Sequence, residues 1–211
     1  MTPGRYFPSF STSMQWPRLH RVLESISPLE EGEFETFCSL LVPRSLRKKE
    51  HLFRSGEVCK QVAFVNQGCL RYYLVNDKAE ENIIYFALEE WWVGDLGSYF
   101  SGNPSLYHLE ALETTELLTM TRENFDRART QCPCWEKFYR IKTQQSYSAV
   151  TDRYIQSQAL SAEEKYLQLL KKSPTLFQRV PQHYIAAYLG IKPQSLSRIR
   201  KGLAEKKGPK T

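Results

Sequence analysis

The 211-residue chain has no run approaching the eighteen or so apolar residues that a membrane-spanning helix needs. Its first residues show no charged segment followed by an apolar one, the pattern of a secretory leader. A disulfide framework is lacking as well. Cys38, Cys59, Cys69, Cys132 and Cys134 are odd in number and scattered, which fits reduced thiols and places the chain in the cytoplasm. Cys132-Pro133-Cys134 is one residue too tight for a CxxC pair, and Cys38 stands alone in its segment, so neither a redox pair nor an iron-sulfur site is expected. Histidine is scarce, with four in all, and the closely spaced His pair followed by Glu of a barrel metal enzyme is missing. His51 and His108 would have to meet inside a barrel to hold a metal. No enzyme activity, metal or cofactor is expected.

The net charge of +6 becomes informative once it is divided along the chain. From Ser161 to Thr211 there are eleven Lys/Arg against three Asp/Glu, a net +8, while the first 160 residues hold eighteen against twenty, a net −2. A positive field confined to one end suits a phosphate backbone, whose counterions lysine and arginine replace. It also suits a solvated surface, so charge alone does not decide.

Residues 1–17, rich in Pro, Ser and Thr without apolar periodicity, read as a mobile arm. Leu19 to Leu41 carries two short amphipathic helices broken at Ser27-Pro28. From Val42 to Met120 the rhythm changes to short β-branched and aromatic runs, Val62 to Val65, Cys69 to Val75, Ile83 to Leu88 and Leu117 to Met120, separated by turn formers. That spacing predicts an antiparallel β-roll or jelly roll over residues 18–133. A helix starts near Thr121, and a long one is predicted from about Cys134 to Gln158. Its stripe of Trp135, Phe138, Ile141, Tyr147, Val150, Tyr154 and Ile155 is too apolar for a lone surface helix. Residues 134–160 form a connecting segment, and 161–211 a further domain. Ser161-Ala-Glu-Glu164 has the spacing of a capping box, opening a helix that ends at Ser173-Pro174. The fold class is α+β.

Gln182 to Leu203 has the spacing of a helix-turn-helix. Ile185, Ala186 and Leu189 face inward from the first helix, Gly190 allows the sharp turn, Ile191 fills the corner, and Pro193 opens a second helix whose Leu196 and Ile199 return to the shared core. The outward face then carries Gln194, Ser195 and Arg198, side chains suited to base edges in the major groove of double-stranded DNA. Arg179, His183, Lys192, Arg200 and Lys201 suit phosphate contacts. A reader of this kind is expected to be a homodimer, joined through residues 134–158, because two recognition helices one turn apart on the duplex require a twofold axis.

From about residue 19 to 205 the order of β-roll, long helix and C-terminal winged helix-turn-helix resembles the Crp/Fnr family of bacterial transcription regulators. Gly56 in LFRSGE, Gly68 in FVNQGCLRYY and Gly94 in WWVGDLGSYF fit its pattern. The resemblance implies that the long helix dimerises the protein and that something sensed by the roll alters the spacing of the DNA heads. Members that bind cyclic nucleotide carry Gly-Glu-Leu followed, just after a proline, by an arginine for the cyclic phosphate. Here Gly94-Asp95-Leu96 is followed by Pro104-Ser105, and Ser105 supplies no positive charge, so cyclic AMP is not expected. The stretch after Leu203, AEKKGPKT, is short and polar for a wing hairpin. An effector pocket, if one exists, is drawn from Arg71, Tyr85, Gly94, Asp95, Leu96 and Ser105, with Arg71 facing Asp95 and His108 across the roll. The other reading is a barrel-type small-molecule-binding or cupin-like protein whose basic tail only docks it elsewhere.

Overall fold

The computed structural model describes residues 15–206. Most of the expected arm lies outside them, and Pro17 already opens a helix rather than closing the arm. Helices α1 (Pro17–Glu24) and α2 (Glu33–Ser39) precede eight strands: β1 (Val42–Leu46), β2 (His51–Phe53), β3 (Gln61–Gln67), β4 (Leu70–Val75), β5 (Glu81–Ala87), β6 (Trp92–Val93), β7 (His108–Ala111) and β8 (Thr115–Thr121). A short helix α3 (Leu96–Ser101) sits between β6 and β7. After β8 come α4 (Arg122–Gln131), α5 (Pro133–Ala159), α6 (Ala162–Lys172), α7 (Leu176–Arg179), α8 (Gln182–Leu189) and α9 (Pro193–Lys206).

The strands form two antiparallel four-stranded sheets, ordered β1-β8-β3-β6 and β2-β7-β4-β5. Between them Phe53, Phe64, Leu70, Leu109 and Leu118 close one apolar core that extends to Leu19 and Phe37 of the leading helices and to Phe125 and Trp135 of α4 and α5. This is the expected β-roll with its flanking helices. Alternation along β4 sends Leu70 and Tyr72 into that core and Cys69, Arg71 and Tyr73 to the opposite face. An extra residue in β5, at the register shift facing Tyr72/Tyr73, lets both Ile83 and Phe86 reach that outer face.

Two local devices fix the ends of the roll. Gly68, at φ 114°, turns the chain from β3 into β4, and a Cβ there would stand 2.7 Å from the Thr115 Cα. Buried Glu33 accepts from the amides of Cys134 (2.7 Å) and Glu30 (3.1 Å), so a carboxylate from α2 occupies the amide-rich, positive end of α5. The capping box at Ser161 is present, with Glu164 Oε2 accepting from the Ser161 amide at 2.8 Å.

Replacing Gly68 by Ala combines a left-handed backbone with a backbone clash, and is expected to cost about 3 kcal/mol of unfolding free energy. Gly102→Ala, where a Cβ meets nothing within 4 Å, is expected to cost about 1 kcal/mol. Urea midpoints of the two variants measure the difference; equal midpoints would contradict this role for the β3–β4 turn.

Candidate nucleic-acid interface and effector cavity

Helices α8 and α9 form the helix-turn-helix. Ile185, Ala186, Leu189 and Leu196 are buried where the two cross, with Ile191 and Ile199 packed beside them. Gly190 takes φ 69°, and the Ile191 amide donates to the Ala186 carbonyl at 3.0 Å, which closes the end of α8. Pro193 begins α9, where a missing amide proton leaves nothing unsatisfied. Gln194 and Arg198 are exposed on one side of α9, with Ser195 half-buried between them. Lys192, Arg200, Lys201 and His183 are exposed around this helix pair, Lys201 lying 4.0 Å from Glu205. The helix runs on through Lys206, so the start of the AEKKGPKT stretch is helical; its remainder lies outside the described residues.

Arg179 does not join this group. From α7 its guanidinium turns back to the roll, donating to Glu89 from Nη1 and Nη2 at 2.9 Å each and pairing with Glu113. The expectation of a phosphate contact is corrected here: two carboxylates already occupy its donors, and the side chain is half-buried. Burial opposes ionisation of Glu89, but the Arg179 donors and the Gly68 amide (2.9 Å) outweigh it and hold the carboxyl at about 2.

Arg71 does share a face with His108, across the Tyr73 ring, but not with Asp95. It lies on the outer face of the sheet, where Nε and Nη2 donate to Glu110 at 3.0 and 2.6 Å and Nη2 donates to Glu81 at 2.9 Å. Its guanidinium is sandwiched between the rings of Tyr73 and Tyr184, each centroid 4.0 Å away. His51 and His108 meet on this same outer face rather than inside the roll, ring centroids 6.0 Å apart. Burial and the Arg54 charge hold both imidazoles below their ordinary range, and among the described residues no group of three or more acidic, histidine or cysteine side chains is arranged for a metal. Around these ion pairs Tyr73, Ile83 and Phe86 of the roll pack against Tyr166, Leu176 and Ile185 of the C-terminal helices. Each such buried side chain contributes about 1.5–3 kcal/mol.

The cassette at Gly94-Asp95-Leu96 is closed on itself. Asp95 caps α3 by accepting from the Ser98 amide, and the Ser105 hydroxyl donates to Asp95 at 2.7 Å. Ser105, a neutral hydroxyl committed to Asp95, stands where a cyclic phosphate would need a cation. Tyr85 and the cassette's own Gly94 and Leu96 line a cavity of about 560 Å³ between the roll, α5 and the C-terminal helices; Arg71, Asp95 and Ser105 do not line it. The long helix divides in two. Trp135 and Phe138 are buried in the roll's core, whereas Tyr147, Val150, Tyr154 and Ile155 are exposed by more than half. Cys132 and Cys134 are buried, and burial pushes the Cys132 thiol up to about 11.

Residues 43–132 match the cyclic nucleotide-binding domain family. Over 90 residues the chain is 34% identical to the transcriptional activator protein Anr of Pseudomonas protegens, a match covering 43% of this chain and 36% of that protein. The matched stretch therefore spans little more than a third of the relative's length. The fold is similar to that of the c-di-GMP-responsive global regulator CLP of Xanthomonas campestris, with a TM-score of 0.68 at 16% identity over 84% of this chain and 93% of that one. FixK2 of Bradyrhizobium japonicum gives a TM-score of 0.66 at 18% identity, over 81% and 89% of the two chains.

Because the folded carboxyl of Glu89 lies at about 2 against an ordinary 4.5, the stabilisation from its pairing is complete above about pH 4.5 and lost as pH falls toward 2. Arg179→Met is expected to flatten acid unfolding within that window and to speed tryptic cleavage among residues 160–172 several-fold at neutral pH. Unchanged cleavage and an unchanged acid limb would show that Arg179 does not hold these helices to the roll.

Proposed function

We propose that this chain, whose residues 43–132 match the cyclic nucleotide-binding domain family, is a sequence-specific DNA-binding transcription regulator of the Crp/Fnr type that acts as a homodimer on a partly palindromic site. The observation that carries this reading is the helix-turn-helix with Gln194 and Arg198 exposed side by side on α9, at the end of the chain that holds a net charge of +8. Gln pairs with the adenine edge and Arg bidentately with guanine, and Ser195 sits between them to serve base or backbone. Lys192, Arg200, Lys201 and His183 flank this face and position the head on phosphates. Arg179, committed to Glu89 and Glu113, takes no part.

We assign dimerisation to the second half of α5. Tyr147, Val150, Tyr154 and Ile155 recur at three-, four- and one-residue steps along one exposed face. A twofold axis along this helix would pair two recognition helices for adjacent turns of the duplex. The domain plan is a roll over 18–133, a connecting helix over 134–160 and a DNA-binding head from 161, with a cytoplasmic setting. Cyclic AMP is not the expected effector, because Ser105, bonded to Asp95, stands where the cyclic phosphate would need an arginine.

Selection from a random duplex library is expected to return a palindromic motif whose preference at one or two positions relaxes by about 1–3 kcal/mol in Arg198→Ala. Lys192→Ala should instead weaken all sequences alike and lower the salt slope by about one, while Arg179→Ala leaves that slope unchanged. Binding with a salt slope but no preferred sequence would sink the proposal. It would favour the reading of a small-molecule-binding barrel with a basic docking tail.

A further inference from the structure

A stack of side chains runs from the roll into the head. The His108 ring lies 4.8 Å from the Tyr73 ring at an interplanar angle of 16°, the Arg71 guanidinium sits 4.0 Å from both Tyr73 and Tyr184, and the His183 ring is 4.0 Å from Tyr184. His51 stands beside this stack, 13% exposed, its Nε2 3.3 Å from the Tyr73 hydroxyl and 3.6 Å from Glu110 Oε2. Both imidazoles at the roll end are held as neutral rings. The Tyr73 hydroxyl donates to Glu110 at 3.3 Å and so accepts the Nε2 proton of His51, while His51 Nδ1 is buried with no partner among the described residues. The Ser55 amide donates to His108 Nδ1 at 3.4 Å, which leaves no place for a proton there.

We infer that this junction is a proton-released latch: protons taken up by His51 and His108 loosen α8 from the outer face of the roll. An imidazolium at His51 places a buried N–H at Nδ1 without an acceptor, and one at His108 sets two donors against each other. The charge count points the same way. Facing the pair among the described residues are Arg54 after β2, Arg71 and Tyr73 from β4, Glu81 from β5, Glu110 from β7, and Tyr184 with His183 from α8. Two arginines balance two glutamates, so two added protons leave this group net positive beneath a strongly basic head. Glu110 attracts those protons, but its Oε2 already accepts from Arg71 Nε and Nη2 and from Tyr73. Drawing Glu110 toward His51 takes it from Arg71, the cation that Tyr184 covers. Burial and the Arg54 charge hold both rings below their ordinary 6.5. Docking is therefore complete above about pH 6.5 and weakens as pH falls below it, at milder acidity than the Glu89 window. The latch goes beyond DNA reading and does not depend on it.

Hydrogen exchange of the full chain at pH 7.5 and 5.5, corrected for intrinsic exchange rates, reads the latch. Protection of Ile185 to Leu189 in α8 is expected to fall at least fivefold at the lower pH, while Val62 to Val65 in β3 keep theirs. The double variant His51→Gln, His108→Gln supplies neutral side chains able to donate to Tyr73 and to accept from Ser55. It should keep the protection at pH 7.5 and erase the drop, with His20 and His183 still in place. Equal protection of α8 at both pH values, or a drop that survives in the folded double variant, overturns the inference. Should that variant not fold, NMR titration of the unaltered chain decides. Ring signals of His51 and His108 moving with the α8 amides at one midpoint below 6.5 support the latch, and ordinary midpoints or unmoved α8 amides overturn it. Operator selection at pH 7.5, where both rings are neutral, tests DNA reading separately.

Discussion

The docking of the C-terminal helices on the outer face of the β4–β5 sheet is the interaction on which the rest of the arrangement depends. It has an apolar part, Tyr73, Ile83 and Phe86 against Leu176 and Ile185, and an ionic part built from two arginines and four glutamates. Arg71 stays on the roll and takes Glu81 and Glu110; Arg179 comes from the head and takes Glu89 and Glu113. A buried guanidinium is tolerated only when its donors are filled, and each of these is filled by carboxylates of the roll. The sheet face thus carries an excess of negative charge that the basic head covers.

From that docking the two faces of the head acquire different tasks. Tyr184 and Tyr188 of α8 look toward the roll, the first against Arg71 and the second against Phe86 and Arg153. The exposed side of α9 looks away with Gln194 and Arg198. The long helix α5 is tied down over its first turns through the Glu33 carboxylate and the Trp135 and Phe138 rings, and Arg153 further along meets Tyr188 of α8. Its second half leaves Tyr147, Val150, Tyr154 and Ile155 exposed, and Val150 also borders the cavity.

Much of this was legible in the residues. The helix-turn-helix came from positions a fixed number apart, because packing of two short helices demands small, bulky and turn-forming residues at set offsets. The capping box and the long helix are local signals too. The roles of Arg179 and Arg71 were not legible, since their carboxylate partners lie 66 and 90 residues away from the first and 10 and 39 from the second. Only the fold brings them together. The cover over the sheet does leave a sign in the sequence: Cys69, Tyr73, Ile83 and Phe86 make the outer face of β4 and β5 as apolar as the inner one, the mark of a sheet covered on both sides. The short strands β1, β2 and β6 and the helix α3 lack periodicity of their own and form because neighbours complete them.

Native-state hydrogen exchange across β5 and α8 tests this account most directly. If the head is held on the roll by the shared apolar cluster and its two arginine clamps, the amides of Ile83 to Phe86 that gain cover from α8 and those of Ile185 to Leu189 should open together, with one free energy and one denaturant dependence. Fast exchange of α8 beside a fully protected β5, with no common opening, would contradict it and would leave the head an independent unit.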